Sequence, residues 1–295
     1  MKYKKPCSAI IVTKNGKILY EKYINCDMFT QFRVASLTKP FTAMAIMMLA
    51  QDNKLKLDDS LSKYLNLPKW SKQISIRNLL NHTSGVPDYE QVLYKTFKSP
   101  PKMQDALDVI RSQQILLFKP GEKQQYSESG YVLLALVVQK LTGSYASFLK
   151  ERIFDTLKMR DTTLFDETNQ KIRNRAYGYK KDYDLLNLIV GNEGIYSSAR
   201  DLSKWSQVWY SKKLVNKDLL DQSLSSKFER GFSWKLNSIA NKLIIYHGGS
   251  WVGFRSIMAI VPSQKLSIIF LSNNTEFDTE SQRLFIIFNL LCKYI

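Results

Sequence analysis

Apolar positions change period several times along the chain, and the changes predict its elements. Cys7 to Thr13 and Lys17 to Tyr23 are β-rich runs separated by Lys14-Asn15-Gly16. Asn-Gly supplies the positive φ angles of a tight turn, so the chain opens with a β-hairpin. From Pro40 to Asp52 the pattern becomes Phe41, Met44, Ala45, Met48, Leu49, the 3.6-residue period of a helix starting near Leu37. Helical periods continue in Ile76 to Asn81, Met103 to Gln113, Gly130 to Thr142, Tyr145 to Ile153 and Ala199 to Tyr210. Strand patterns return in Gly231 to Leu236, Leu243 to His247, Phe254 to Val261 and Leu266 to Ser272, before an amphipathic helix from about Glu280 to Tyr294. The fold class is therefore α/β (α+β), a single folded unit over residues 1–295. Both chain ends build one antiparallel sheet flanked by helices, in an α/β lobe of about 1–54 and 212–295. A helical lobe of about 55–211 is inserted between them, and no internal repeat or low-complexity linker interrupts the pattern.

Composition narrows the class. With 44% hydrophobic and 23% charged residues in 295, the chain is a soluble globular protein, and disorder is excluded as its main state. The net charge of +17 is spread singly through amphipathic segments, apart from Lys2, Lys4 and Lys5. No nucleic-acid module accompanies it, so no nucleic-acid partner is expected. Cys7, Cys26 and Cys292 are odd in number and far apart, and neither His82 nor His247 stands at a metal-ligand spacing from them. Packed, reduced thiols and no metal site follow. The longest nearly apolar stretch, Leu284 to Cys292, is broken by Asn289 and is too short to span a membrane. Cys7 to Val12 is too short for a signal-peptide core, so the expectation is a cytosolic chain or a mature exported form.

Ser36-Leu37-Thr38-Lys39 places a hydroxyl and an amine three residues apart at the start of the first long helix, where such side chains share a face. That spacing suits a nucleophile and its base. The free amides of the helix start suit the oxyanion formed when an acyl group is attacked. Taken alone, Ser at a helix start is an ordinary N-cap, and Ser-x-x-Lys is a common sequence.

The surroundings of this quartet decide its reading. Phe32 to Ala43, Leu79-Leu80-Asn81-His82-Thr83-Ser84-Gly85-Val86-Pro87-Asp88-Tyr89, Pro120-Gly121-Glu122 with Tyr126-Ser127, Gly191 to Trp205, and His247-Gly248-Gly249 occur in that order. Together they resemble the serine β-lactamase and penicillin-binding protein superfamily, in its class C-like branch of β-lactamases, esterases, D-aminopeptidases and carboxypeptidases. The resemblance implies a nucleophile at Ser36, with Lys39 and Tyr126 sharing the proton work and water releasing the acyl-enzyme. It leaves open which of the two takes the proton. It implies a strand edge at His247-Gly248-Gly249 along the cleft, with His247 as the catalytic residue of the third motif and the amides of Ser36 and Ser250 as oxyanion donors. Gly249 would let the backbone approach substrate, while His82 would be a hydrogen-bonded structural residue. The resemblance calls for no cofactor and a small-molecule or peptide acyl substrate, and a monomer is expected.

Three residues depart from the pattern. Glu128 stands where Tyr-x-Asn carries Asn; Gly248 lacks the hydroxyl that in many relatives helps hold a substrate carboxylate; Glu193 occupies a position often small or aromatic. One reading pairs Glu128 with Lys39 or another base and makes Glu193 a cap of the following segment. The other makes Glu128, Glu193, Gly248 and Gly249 a substrate-binding set for a positively charged group, such as the free amine of an aminoacyl substrate. Glu128 beside Lys39 would also favour the ammonium, making Tyr126 the better base or the protein a catalytically weakened sensor or binding module.

Overall fold

The computed structural model describes residues 5–96, 100–179, 188–225, 227–239, 241–275 and 280–294. Lys2, Lys4 and the side chain of Cys292 lie outside the described residues. Strands β1 (Ser8–Lys14) and β2 (Lys17–Ile24) form the expected hairpin. Asn15 at φ 54° and Gly16 at φ 75° make its turn left-handed at both central residues. The C-terminal strands β6 (Lys235–Ile239), β7 (Lys242–Trp251), β8 (Phe254–Val261) and β9 (Leu266–Ser272) complete an antiparallel sheet of order β2-β1-β9-β8-β7-β6. β1 meets β9 in register from Ser8↔Ser272 to Lys14↔Leu266, so the two chain ends share one sheet.

Helix α1 (Lys39–Gln51) follows the short strand β3 (Phe32–Arg33) and one 3-10 turn, Ala35–Thr38. Every residue from Lys39 to Leu49 is buried, so this is a core helix covered all round and not a half-exposed amphipathic one. Phe41 stacks on Trp205 at 4.0 Å between ring centroids. Helices α2 (Ile76–Leu80), α3 (Glu90–Thr96), α4 (Met103–Ser112), α5 (Glu128–Thr142) and α6 (Tyr145–Leu149) cover much of its remaining surface or pack on one another.

The structure departs from the sequence expectations in three places. Strands β4 (Thr162–Leu164) and β5 (Ile195–Ser197) join β3 in a small sheet of order β3-β5-β4, inside the stretch expected to be helical. Strands of two or three residues carry too little alternation to be read as a pattern. Helix α7 (Ala199–Ser206), placed by sequence in the helical lobe, lies instead on the large sheet: Arg200 pairs with Glu21 of β2, and Ser206 Oγ meets Ser267 Oγ of β9 at 2.7 Å. β6 starts at Lys235 rather than Gly231, and β7 continues through Trp251, so His247-Gly248-Gly249 sits inside a strand and not at its end. A short helix, α8 (Lys217–Ser223), precedes β6, and helix α9 (Glu280–Tyr294) closes the chain as expected.

The loop before β5 is held on α1. Thr42 Oγ1 donates to Gly191 O at 2.6 Å, and Ile195 N–H donates to Thr38 Oγ1 at 3.3 Å. Gly191 has φ 100°, and a Cβ there would stand 2.5 Å from Tyr131 O and 2.6 Å from Ala135 Cβ of α5. Gly191→Ala is therefore expected to destabilise the protein by about 2–4 kcal/mol, combining backbone strain with overpacking. A denaturant midpoint unchanged from the native chain would show that this loop does not lock α1 to α5.

Candidate active site

The chain reaches Ser36 through a strained step. Ala35 has φ 50°, a left-handed conformation unusual for a residue with a Cβ, at the first position of the 3-10 turn carrying Ser36. Its neighbour Val34 is fixed on both sides: Val34 N–H donates to Ile195 O at 3.0 Å, and Val34 O accepts from Ser256 Oγ at 2.7 Å. A Cβ on Gly249 would lie 2.1 Å from Val34 O and 2.4 Å from Ser256 Oγ. The bare backbone of Gly249 thus admits the segment that carries Ser36.

One helical turn on, Lys39 is wholly buried and surrounded by acceptors. Its Nζ lies 2.6 Å from Glu128 Oε2, 3.1 Å from Asn192 O and 3.2 Å from Ser36 Oγ, with the Tyr126 ring centroid 4.8 Å away. Burial opposes the charge, but Glu128 and then Tyr126 outweigh it and hold the ammonium above the ordinary lysine range. Asn192 Nδ2 donates to the same Glu128 oxygen at 2.9 Å.

Tyr126 and Glu128 are placed by the start of α5. Ser127 is its N-cap, accepting from Gly130 N–H at 3.1 Å, while Asp88 Oδ2 accepts from Glu128 N–H at 3.0 Å. Ser127 N–H in turn donates to His82 Nδ1 at 3.1 Å, and the His82 ring stacks on Tyr126 at 4.6 Å. His82 is thus a hydrogen-bonded support of the Tyr126 turn. The Arg230 guanidinium stands 5.0 Å from the Tyr126 ring centroid. Tyr126 also interacts with Lys39 and Ser36; burial, then Glu128, push its hydroxyl up to about 12 against the pull of Lys39.

His247 of β7 is buried, its ring centroid 6.3 Å from that of Tyr126. Nδ1–H donates to Gly248 O at 2.6 Å, which fixes Nε2 as the nitrogen with the lone pair. Burial, with Arg230 and Lys39 nearby, holds both His247 and His82 well below the ordinary histidine value, so both are neutral. Ser250 is exposed at the end of β7, and its hydroxyl accepts from Arg283 of α9 at 3.1 Å.

Glu193 takes no place in an open pocket. Its carboxylate pairs at 3.1 Å with buried Arg33, which lies 4.6 Å from the Trp251 ring centroid. With Glu128 on Lys39, each added carboxylate meets a base of the protein itself, and the pocket expected for a cationic group is not what the structure builds. Near Glu128, Glu193 and Asp88, burial followed by these three acids pushes the Glu90 carboxyl up to about 9, so at neutral pH it is protonated.

A beta-lactamase family profile matches residues 1–288. The chain belongs to the beta-lactamase family. It is 31% identical to penicillin-binding protein 4* of Bacillus subtilis (strain 168), over 93% of this chain and 69% of that protein. It is 28% identical to protein flp of Staphylococcus aureus (strain MW2), over 92% of this chain but 60% of that protein, so it spans less than two thirds of that relative. A class C beta-lactamase structure superposes with a TM-score of 0.81 at 22% identity, over 97% of this chain and 90% of that one, which establishes the shared fold.

Asn192, Asp88 and Arg230 carry no individual signal in the sequence. Asn192 and Asp88 lie within motif blocks, the first beside the more conspicuous Glu193. Arg230 precedes β6 in a stretch with no motif, and only the folded chain brings it to Tyr126.

Glu193→Gln leaves Arg33 as a buried charge without its carboxylate and is expected to cost about 3 kcal/mol of stability; equilibrium urea denaturation would expose a neutral change as contradictory. The two neutral histidines resist protonation in the folded state, whereas unfolded histidine takes up protons below about 6.5. Their contribution to stability is therefore full above that pH and declines as pH falls below it, while protonated Glu90 contributes the opposite trend. A Tm difference between the native chain and His82→Asn that stays constant from pH 7 to pH 5 would contradict this.

Proposed function

We propose that this protein is a serine hydrolase that forms an acyl-enzyme at Ser36 from an ester or amide and releases the acyl group to water. The observation that carries the reading is Ser36 Oγ at 3.2 Å from Lys39 Nζ, with Tyr126 set against both. Ser36 Oγ bonds to the acyl carbon while its proton passes into the Lys39 and Tyr126 pair. The same proton then goes to the leaving group as the acyl bond breaks. The amides of Ser36 and Ser250 serve the oxyanion, while the neutral ring of His247, whose Nε2 is enclosed, packs beside Tyr126.

Because Glu128 and Glu193 are paired internally, Arg230 sets the charge that a ligand meets beside Tyr126. Neutral and anionic acyl substrates are therefore favoured over cationic ones. A second reading, a weakened module that captures an acyl or peptidyl ligand, is supported by the tight Lys39–Glu128 pair, which withholds the amine from proton abstraction.

Ser36→Ala is expected to abolish covalent acylation while leaving the fold intact. Intact-mass analysis after exposure to p-nitrophenyl esters, acyl-D-Ala-D-Ala peptides and nitrocefin checks this. An acyl adduct at native yield in Ser36→Ala would refute the assignment; an adduct on the native chain without turnover would favour the capture module.

A further inference from the structure

We propose that Glu128 is a positioning residue that keeps Lys39 as a fixed ammonium and so assigns the Ser36 proton to Tyr126. The proposal rests on Ser36 being the nucleophile, and it decides which of the two candidate bases acts.

Two donors converge on one oxygen of Glu128: Oε2 receives Lys39 Nζ at 2.6 Å and Asn192 Nδ2 at 2.9 Å. Glu128 is also the first residue of α5, where the positive end of the helix favours an anion. Both features place positive charge and donors around this carboxylate. To accept the Ser36 proton, Lys39 would need a lone pair directed at Ser36 Oγ. It would then be neutral, and Glu128 would be an anion without its counter-charge in a site where the Lys39 side chain is 0% and the Glu128 side chain 14% exposed. Asn at this position, the residue of the family pattern, would impose no such cost.

Among the described residues, no other neighbour takes over this role. Asp88 and Glu90 face the pair from the loop before α3 and from α3; burial shifts both toward the protonated form, against the Glu128 N–H at Asp88 and reinforced by the Glu128 charge at Glu90. Glu193 is held on Arg33, and Tyr131 offers its ring at 5.9 Å from Lys39 Nζ. His82 and His247 are neutral, and Arg230 lies across Tyr126, on which its guanidinium rests.

In the resulting step the Ser36 proton passes to the Tyr126 oxygen, which reacts as phenolate, while Ser36 Oγ bonds to the acyl carbon. Tyr126 returns that proton to the leaving group as the acyl bond breaks. Lys39 keeps its three protons throughout and stabilises the phenolate by charge.

The test is the pH dependence of single-turnover acylation of Ser36 by a p-nitrophenyl ester. In the native chain the rate should climb about tenfold per pH unit through the alkaline range without a plateau, as one proton leaves a high-pKa group. In Glu128→Gln, Lys39 loses its anion but stays buried, so the amine becomes available as a base; the profile shifts at least about one unit to lower pH, and that rate persists in Glu128→Gln/Tyr126→Phe, which a lowered Tyr126 alone would not give. Glu128→Asp retains the charge and should restore the native profile, which a merely structural role would not require. If Glu128→Gln does not fold, Glu128→Asn replaces it. Coincident profiles for native and Glu128→Gln overturn the proposal.

A second readout does not depend on activity. The Nζ resonance of Lys39 in 15N-lysine-labelled protein, assigned with Lys39→Met, should titrate at least about one unit lower in Glu128→Gln than in the native chain. The same titration in both overturns the proposal. If the native chain forms no adduct at Ser36, the nucleophile assignment fails, and this titration still decides the effect of Glu128 on Lys39.

Discussion

A lysine ammonium at the buried start of the central helix is the constraint around which the rest of this site is arranged. Taking such a charge out of water costs several kcal/mol unless a counter-charge and hydrogen bonds replace the lost hydration. Lys39 receives them from three parts of the chain: Glu128 from α5, the Asn192 carbonyl from the loop before β5, and the Ser36 hydroxyl from its own helix start. Holding the ammonium therefore means holding α1, α5 and the 191–194 loop in one geometry. The groups proposed for acyl chemistry are the same groups that make the buried charge tolerable, so function and stability share their contacts here.

The scaffold supports this arrangement from both sides. On the sheet side, Gly249 and Ser256 receive Val34, the last residue before the strained step at Ala35. On the helical side, His82 and Asp88 satisfy the amides at the start of α5 that fix Tyr126 and Glu128. Arg283 of α9 reaches Ser250 and ties the end of β7. These are hydrogen bonds between segments far apart in sequence, and they hold the sheet and the helical layer around Ser36 without a metal cluster or disulfide among the described residues.

Much of this architecture is legible in the amino-acid sequence. Asn15-Gly16 marks a hairpin because few residue pairs accept two positive φ angles, and β8, β9 and α9 follow from long, clean periodicity. Ser36, Lys39, Tyr126 and His247 stand out because their blocks occur in family order. What escapes is set by contacts distant in sequence. The short strands β4 and β5 are held by pairing and not by their own pattern. α7 turns to the sheet because Arg200 and Ser206 have partners there. Glu193 reads as a cleft residue because nothing near it in sequence points to Arg33, its partner 160 positions away. Glu128 shows both of its possible roles, and only the 2.6 Å contact distinguishes them.

The central claim is that Lys39 and Glu128 form one buried unit, and a double-mutant cycle on folding stability tests it most directly. Lys39→Met, Glu128→Gln and the double variant would be compared with the native chain by denaturant unfolding at pH 7. Each single change should cost about 3 kcal/mol or more by stranding a charge or a polar group, and the double variant should recover a large part of that loss. Additive losses, with no coupling beyond about 0.5 kcal/mol, would contradict the claim.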